Sequence, residues 1–304
     1  MNISAQENSA PGKVSVVIGT ALAPERVALL ERAVAAALHN ARVAEVIVVV
    51  NGQKFDAPAL SRLRARTDVR VEYLSLGSYP AALRRGRELV TQPFFCFVDD
   101  DDELLPGSIA SRLAMAQAGG ADVVVCNGYR NAGGADTPYC RRQPVDSEDL
   151  ALAMLEENWF ASCAPLFRAD RVGIEFFDGR TRFLEWTLLV FKLLAAGRRF
   201  AFVPDYGFRI NDTAVSLSKD LRGVLPVPAV LRELIGLTVN PHVLDELQRR
   251  LARAHHACAE AELSMGSISQ AWSQHFKSLT LPGGAAYWPY TRHLLAAPFV
   301  RNRR

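Results

Sequence analysis

The sequence predicts an α/β protein, a mostly parallel sheet flanked by helices and followed by a helical C-terminal appendage. Three observations carry this prediction. Short apolar runs recur at Val14–Ile18, Val46–Val50 and Phe94–Val98, each of strand length and closed by polar or turn-forming residues. Stretches with helical spacing separate these runs, the rhythm of strands joined by crossover helices. From about Val224 to Pro228 the composition shifts, and the remaining signals are mainly helical.

The first run ends at Gly19-Thr20, so a buried strand opens there into a loop. Pro24 suits the start of a helix, and Leu29, Leu30, Ala33, Val34, Ala37 and Leu38 repeat at helical spacing. Val46–Val50 is a second buried strand closed by the turn pair Asn51-Gly52. Leu60–Arg66 reads as a helix, Val69–Leu74 as a third strand, Ala81–Val90 as a helix after Pro80, and Phe94–Val98 as a fourth strand. Further on, Ile109–Gln117 is helical and Val123–Cys126 is another strand. Asp149–Asn158 is expected as a helix capped by Asp146 or Ser147. Glu185–Ala196 is an apolar helix stopped by Gly197, Phe200–Val203 is a strand, and Arg209–Lys219 is expected as a polar loop. Val243–Ser264 and Ile268–Leu279, separated by Gly266, suggest a helical hairpin.

Bulk properties exclude several classes of function. A charged fraction of 22% and a hydrophobic fraction of 49% describe an ordinary globular chain. A net charge of +3 without Lys/Arg tracts gives no footprint for nucleic acid. Five scattered cysteines without a CxxC pair read as reduced thiols, and not as a disulfide framework or zinc site. The stretch from Met1 to Lys13 is polar, is expected to be disordered, and lacks the apolar core of a signal peptide. No apolar run reaches spanning length. On these features the protein is expected in the cytoplasm, with peripheral contact at the inner membrane face left open.

The most informative stretch is Phe94 to Glu103, where an apolar strand delivers Asp99, Asp100, Asp101 and Asp102 at its carboxyl end. Ligands of open α/β sheets bind beyond such strand ends. Adjacent carboxylates repel one another, and a hard divalent cation such as Mn²⁺ or Mg²⁺ relieves that repulsion through oxygen ligands. The alternative is a solvated acidic loop ahead of a helix.

Phe97-Val-Asp99-Asp-Asp101-Asp102 with Pro106 resembles the acidic strand end of the inverting glycosyltransferases of family two, which have the GT-A fold. The resemblance covers about Val14 to Ser218 and implies a GT-A-type, Rossmann-like sheet. It also implies that Asp99 and Asp100 lie on the donor nucleotide and that Asp101 binds the metal on its diphosphate. Asp102 would then face the acceptor. Thr20, at the end of the first strand, and Asn51, after the second, fall where the family lines the nucleotide. Asn51 stands where the family usually has Asp, so a side-chain amide replaces a carboxylate against the base. Gly77-Ser-Tyr-Pro-Ala-Ala-Leu83-Arg84-Arg85-Gly86 resembles the family's Gly-x-Ser-x-Ala-Arg-Asn-x-Gly segment, with Leu83 where Arg is usual and Arg84 where Asn is usual, and the resemblance implies that Gly77 and either Arg84 or Arg85 reach the donor. Ordinary turn chemistry for Thr20 and Asn51, and a solvated helix face for Arg84 and Arg85, fit the same residues.

Inverting transfer needs a base for the acceptor hydroxyl. Glu185 stands where the family carries its Glu-Asp motif and is the expected catalytic base, with Trp186 beside it for the acceptor sugar. A helix-opening Glu favoured by the macrodipole is the competing reading, and Asp178 nearby reads as a turn residue. Tyr206 to Ser218 resembles the family's closing Tyr-Arg-x-His loop, with Arg209 positioned for the diphosphate, Asn211 in place of the His, and Ser216 and Ser218 as further donors.

Together these features describe a disordered segment 1–13, a glycosyltransferase domain 14–223 and a helical region 224–304. The domain is expected to divide into a nucleotide half 14–103 and an acceptor half 104–223. The expected reaction moves a sugar from a nucleotide-diphosphate sugar, with a UDP-sugar favoured, to a saccharide or lipid-linked saccharide acceptor in glycan assembly. Tyr287, Trp288, Tyr290 and Phe299, interleaved with Arg292, His293, Arg301, Arg303 and Arg304, form a tail suited to an anionic membrane or to simple packing. A catalytically silent sugar- or partner-binding subunit and a sugar nucleotidyltransferase remain alternatives. Gly19-Thr-Ala-Leu-Ala-Pro24 lacks the Gly-rich basic loop that a nucleotidyltransferase carries after its first strand.

Overall fold

The computed structural model describes residues 12–145, 147–177, 183–212 and 221–301, with the backbone alone at 221–222 and 297–301. Nine strands form one sheet in the order β3-β2-β1-β4-β8-β6-β9-β5, and β7 pairs with β6. The strands are β1 (Val14–Thr20), β2 (Val43–Asn51), β3 (Val69–Leu74), β4 (Phe94–Asp99), β5 (Glu103–Leu104), β6 (Val123–Ala132), β7 (Ala135–Pro138), β8 (Pro165–Arg168) and β9 (Phe200–Asn211). The longer pairings, β1 with β2 and β4, β2 with β3, and β6 with β9, are all parallel. Short β8 runs antiparallel between β4 and β6, and joins the parallel set to the second half of the sheet.

Strand β1 is buried along its whole length, Ser15 and Thr20 included, which matches its largely apolar sequence and its position inside a sheet covered on both faces. The helices of this half are α1 (Val27–Leu38), α2 (Ala57–Arg64), α3 (Tyr79–Leu89) and α4 (Ser108–Gly119). A 3₁₀ turn at Pro24–Arg26 precedes α1. Asp56 caps α2 by accepting from Ala59 N, and Ser78 caps α3 by accepting from Ala81 N. Helix α3 lies so close to β1 that a Cβ at Gly86 would stand 2.2 Å from Val17 Cγ1, so the helix needs glycine there. Phe95, Phe97, Phe167 and Phe177 fill the core beside β4, with the rings of Phe95 and Phe167 stacked at 4.9 Å.

The chain divides into two compact units, the sheet unit of residues 1–146, 159–180 and 197–213, and a helical unit of 147–158, 181–196 and 214–304. The helical unit contains α5 (Leu150–Glu156), α6 (Glu185–Ala195), α7 (Val227–Gly236), α8 (Pro241–Ser264), α9 (Ile268–Leu279) and α10 (Thr291–Arg301). It is therefore built from three stretches of chain and does not start at residue 224. The reason is packing: Leu155 of α5 and Leu188 and Phe191 of α6 share one buried apolar cluster with Val230, Leu234, Val243 and Leu247.

Three local expectations change. Asp149, and not Ser147, caps α5 by accepting from Leu152 N at 2.9 Å; Asp146 lies outside the described residues. The polar stretch from Arg209 begins as strand, because β9 continues to Asn211 in parallel register with Tyr129–Asn131 of β6. The strand expected over Val123–Cys126 also runs on to Ala132; the other expected elements appear within a few residues of their predicted ends, and α8 and α9 pack against each other as the hairpin.

Three histidines lie in the packed part of the helical unit. His255 bonds Gln274 Oε1 at 2.6 Å and Arg232, His275 bonds Thr291 Oγ1 at 2.8 Å, and His256 stacks on Tyr287. Burial lowers the pKa of each below 6.5, so the folded state prefers the neutral rings. Arg232 and Lys277 push His255 further down, while Glu260 opposes the shift at His256. The unfolded chain therefore binds protons first as pH falls through 6.5, and stability is lost in that direction. The melting temperature of the full chain is expected to fall between about pH 7.5 and about pH 5.5. His275→Gln should flatten that slope, and an unchanged slope would contradict the assignment.

Candidate functional site

The parallel register brings the carboxyl ends of four adjacent strands to one edge of the sheet. Gly19 pairs with Asp99, Thr20 with Val50, and Asn51 with Leu74. The side chains there are bonded to one another. Asn51 Nδ2 donates to Thr20 O at 2.9 Å, and Thr20 Oγ1 accepts from Leu22 N at 2.8 Å while donating to Asp100 Oδ2. The loops after β2 and β3 meet where Gly52 N donates to Leu74 O, and the Gly77 Cα lies 3.4 Å from where a Cβ of Gly52 would stand. Thr20, Asn51 and Gly77 are thus gathered at the edge where an α/β sheet binds its ligands.

The acidic turn after β4 is a network in which each carboxylate has its own partners. Asp99 accepts from Tyr79 Oη and from Ser162 Oγ, the latter at 2.8 Å. Burial pushes its pKa up to about 6, against the two hydroxyl donors, and the neighbouring Asp101 and Asp100 charges add to the rise. Asp100 takes a forked contact from Arg26, whose Nε donates to both oxygens at 3.1 and 3.0 Å and whose Nη2 also reaches Oδ1. The same Nη2 lies 3.1 Å from Asp101 Oδ2. Asp102 is 3% exposed, accepts from Asn211 N at 3.1 Å, and is pushed well above the usual carboxylate range by burial and then by Asp99 and Asp101. In this arrangement its carboxylate ties the turn to β9. Asn211 Nδ2 completes the tie by donating to Asp101 O at 2.7 Å and to Glu103 Oε1 at 3.2 Å.

Other predicted residues lie further along the sheet unit. Arg84 Nη1 donates to Phe177 O at 2.8 Å, and its Nε lies 3.5 Å from Glu88. Arg209 sits on β9 opposite Glu103, and its guanidinium pairs with Asp136 of β7 at 2.7 Å. Asp178, Ser216 and Ser218 fall outside the described residues. Sequence reading missed Arg26, Tyr79 and Ser162 as parts of the network. Tyr79 lay within a segment already singled out, whereas nothing local marked Arg26 or Ser162.

Glu185 and Trp186 belong to the helical unit, as the first two residues of α6, and both are half-buried. Phe183 and Leu184 immediately before them have φ of 61° and 58°. Two side-chain-bearing residues in the left-handed region cost about 1–2 kcal/mol each, and such backbones concentrate at functional sites. The Phe183 ring lies against Gly223, where an added Cβ would come within 2.8 Å of it. In the tail, Tyr287 and Tyr290 pack on His256, while Trp288 is 67% exposed.

Among the described residues no three His, Cys, Asp or Glu side chains are arranged to hold a metal by themselves. A hard cation bound with phosphate needs only one or two carboxylates. Asp101 meets that lesser demand with a carboxylate 16% exposed and oxygen donors of the right chemistry. The residues fit a cation shared with a phosphate ligand, and do not form a closed cage.

An edge of parallel strand ends joined to an acidic turn is where an α/β sheet can take a charged ligand. Residues 15–168 match the family model described as Glycosyl transferase family 2. The match spans more than half of the 304 residues, and the chain belongs to this family of glycosyltransferases. Its structure is similar to that of S. aureus TarS 1–349 in complex with UDP, with a TM-score of 0.56, 12% identity, and 88% of each chain covered. TarS 1–349 in complex with UDP-GlcNAc gives a TM-score of 0.56 and 12% identity over 88% of this chain and 91% of that one. At such identity the likeness concerns the fold, which is of the GT-A type. No sequence relative is found among curated proteins.

Proposed function

We propose that the chain transfers a sugar from a nucleotide-diphosphate sugar, with a UDP-sugar favoured, to a hydroxyl of a saccharide or lipid-linked saccharide, with inversion. The observation that carries this reading is the gathering of Thr20, Asn51 and Asp99 at the ends of adjacent parallel strands, beside the acidic turn. The TarS structures with UDP and UDP-GlcNAc support a nucleotide-sugar donor.

In this reading Thr20, Asn51, Gly77, Asp99 and Asp100 form the nucleotide side, and Arg84 and Arg209, further along the sheet unit, are assigned to the donor diphosphate. Asp101 is the carboxylate that would hold Mn²⁺ or Mg²⁺, and such an ion supplies charge neutralisation for a leaving diphosphate. Glu185 accepts the acceptor's hydroxyl proton as that oxygen bonds to the anomeric carbon. The bond from that carbon to the diphosphate oxygen breaks, and the nucleoside diphosphate leaves with its electron pair. Trp186 and Asp102 are assigned to the acceptor side. Calorimetry with UDP in Mn²⁺ tests the donor half. Asp101→Ala should weaken binding by about tenfold or more, a loss of at least about 1.4 kcal/mol, and equal affinity would remove Asp101 from the site.

A catalytically silent donor-binding subunit is the second reading, and it is favoured by an acidic turn in which Asp100 and Asp101 already pair with Arg26. For the tail we propose peripheral membrane contact. After Glu262 the chain has no Asp or Glu, while Lys277, Arg292, Arg301, Arg303 and Arg304 are basic. The exposed Trp288 supplies an interfacial aromatic. Co-sedimentation with phosphatidylglycerol vesicles should fall in Trp288→Ala, and absence of binding by the wild type would end this proposal.

A further inference from the structure

Arg26 occupies a distinctive position. It closes the 3₁₀ turn between β1 and α1, its side chain is 16% exposed, and its partner carboxylate at Asp100 is 5% exposed. One guanidinium forks onto both oxygens of Asp100 and still reaches Asp101 Oδ2 at 3.1 Å. Thr20 Oγ1 donates to Asp100 as well, so the acceptor positions of that carboxylate are well used. A second arginine, Arg32, lies beside the same turn, with Nε 3.1 Å from Glu103 and Nη2 donating to Asp101 O at 3.2 Å. Of the four successive aspartates, Asp100 and Asp101 are thus paired with a cation of the chain, while Asp99 is held by hydroxyls and Asp102 by a backbone N–H.

We propose that Arg26 is a resident counter-cation that competes with a divalent ion for Asp101, so that metal and diphosphate are taken up together. The inference rests on the reading of Asp101 as the metal carboxylate. A dication arriving alone meets a carboxylate already paired with a planar, permanently charged group at short range. It gains little, because it must share the oxygen or displace the arginine while the positive charge of Arg26 stays close by. A diphosphate changes the balance. Its negative charge offsets both cations, and its oxygens provide ligands that no group of three His, Cys, Asp or Glu supplies among the described residues. Arg26 keeps its fork on Asp100 throughout, and the contact of Nη2 with Asp101 yields. The arrangement makes bare metal a poor ligand and the metal–nucleotide pair a good one. It also offsets part of the repulsion within the acidic turn, at Asp100 and Asp101, before the donor arrives.

The test is a Mn²⁺ titration followed by electron paramagnetic resonance, which reads the free ion directly and requires no turnover. Wild type, Arg26→Met, Arg26→Lys and Asp101→Asn are each titrated with and without UDP. The expected result is that Arg26→Met binds Mn²⁺ alone about tenfold more tightly than wild type, while UDP strengthens Mn²⁺ binding much less in the variant. Arg26→Lys keeps a charge in place to secure the fold but lacks the fork, and should fall between the two. Melting in chelator and in Mn²⁺ gives a second readout: Arg26→Met should melt lower than wild type in chelator and recover on adding Mn²⁺. Equal Mn²⁺ affinity in wild type and both Arg26 variants, with UDP-dependent binding intact, overturns the counter-cation while leaving the metal reading in place. Absence of Mn²⁺ binding in every protein, with UDP or without, overturns both.

Discussion

Replacing Glu185 by Gln is expected to slow sugar transfer by roughly a hundred- to ten-thousand-fold while leaving donor binding intact. The substitution keeps the size of the side chain and removes its capacity to hold a proton. Glu185 opens α6 directly after the left-handed pair Phe183-Leu184. That backbone fixes the direction from which the carboxylate leaves the helix. The measurement is single-turnover transfer with whichever nucleotide sugar most raises the melting temperature in Mn²⁺, alongside calorimetry of the same donor. Unchanged transfer in Glu185→Gln would remove Glu185 as the base. Loss of donor binding together with transfer would show a structural role. Unaltered donor binding with no transfer by the wild type to any hydroxyl acceptor would favour the silent subunit.

Arg112→Met is expected to destabilise the protein by about 3–5 kcal/mol, the scale of several lost charge-assisted bonds with buried acceptors left behind. Arg112 lies on α4 and is 0% exposed. Its Nε donates to Ser108 O at 3.1 Å, Nη1 to Cys163 O and Ala164 O at 3.0 Å each, and Nη2 to Ser108 Oγ at 3.2 Å. These are neutral acceptors, so the charge is held by hydrogen bonds that together offset its desolvation. Methionine keeps the apolar stem and abandons every one of those oxygens. Denaturant unfolding of the full chain measures the loss, and a change under about 1 kcal/mol would show that the guanidinium is dispensable. The effect should reach the site, because the carbonyls that Arg112 holds follow Ser162, whose hydroxyl donates to Asp99.

Strands β1, β2 and β4 could be read from the sequence because apolar runs are what strands inside a sheet covered on both faces require; β3 showed instead by its alternation, Val69-Arg-Val-Glu-Tyr-Leu74. The acidic turn could be read for a related reason, since four aspartates directly behind such a run have no use in a core. What escaped was set by distant partners. Strand β9 looked like a loop beyond Val203 because Asp205, Arg209 and Asn211 are polar; pairing with β6 holds them as strand. Residues Pro165–Arg168 of β8 are too few to show a period. Arg26 and Asp100 are 74 residues apart, and a lone arginine near a helix start reads as surface. Arg112 presents the same difficulty in stronger form, since nothing in an amphipathic helix marks a charge as fully enclosed. Asn211 was noticed only as a replacement for a histidine, whereas the structure shows it bracing the acidic turn.

The helical unit is assembled from residues 147–158, 181–196 and 214–304, while the sheet unit claims the chain in between. Neither body can be inherited, deleted or transplanted as one uninterrupted cassette. A gene truncated at residue 224 would strip Val230, Leu234, Val243 and Leu247 from Leu155, Leu188 and Phe191, and leave two greasy helices with no lid. Whatever selection has done to the carboxyl-terminal helices, it has had to do with the transferase sheet still attached.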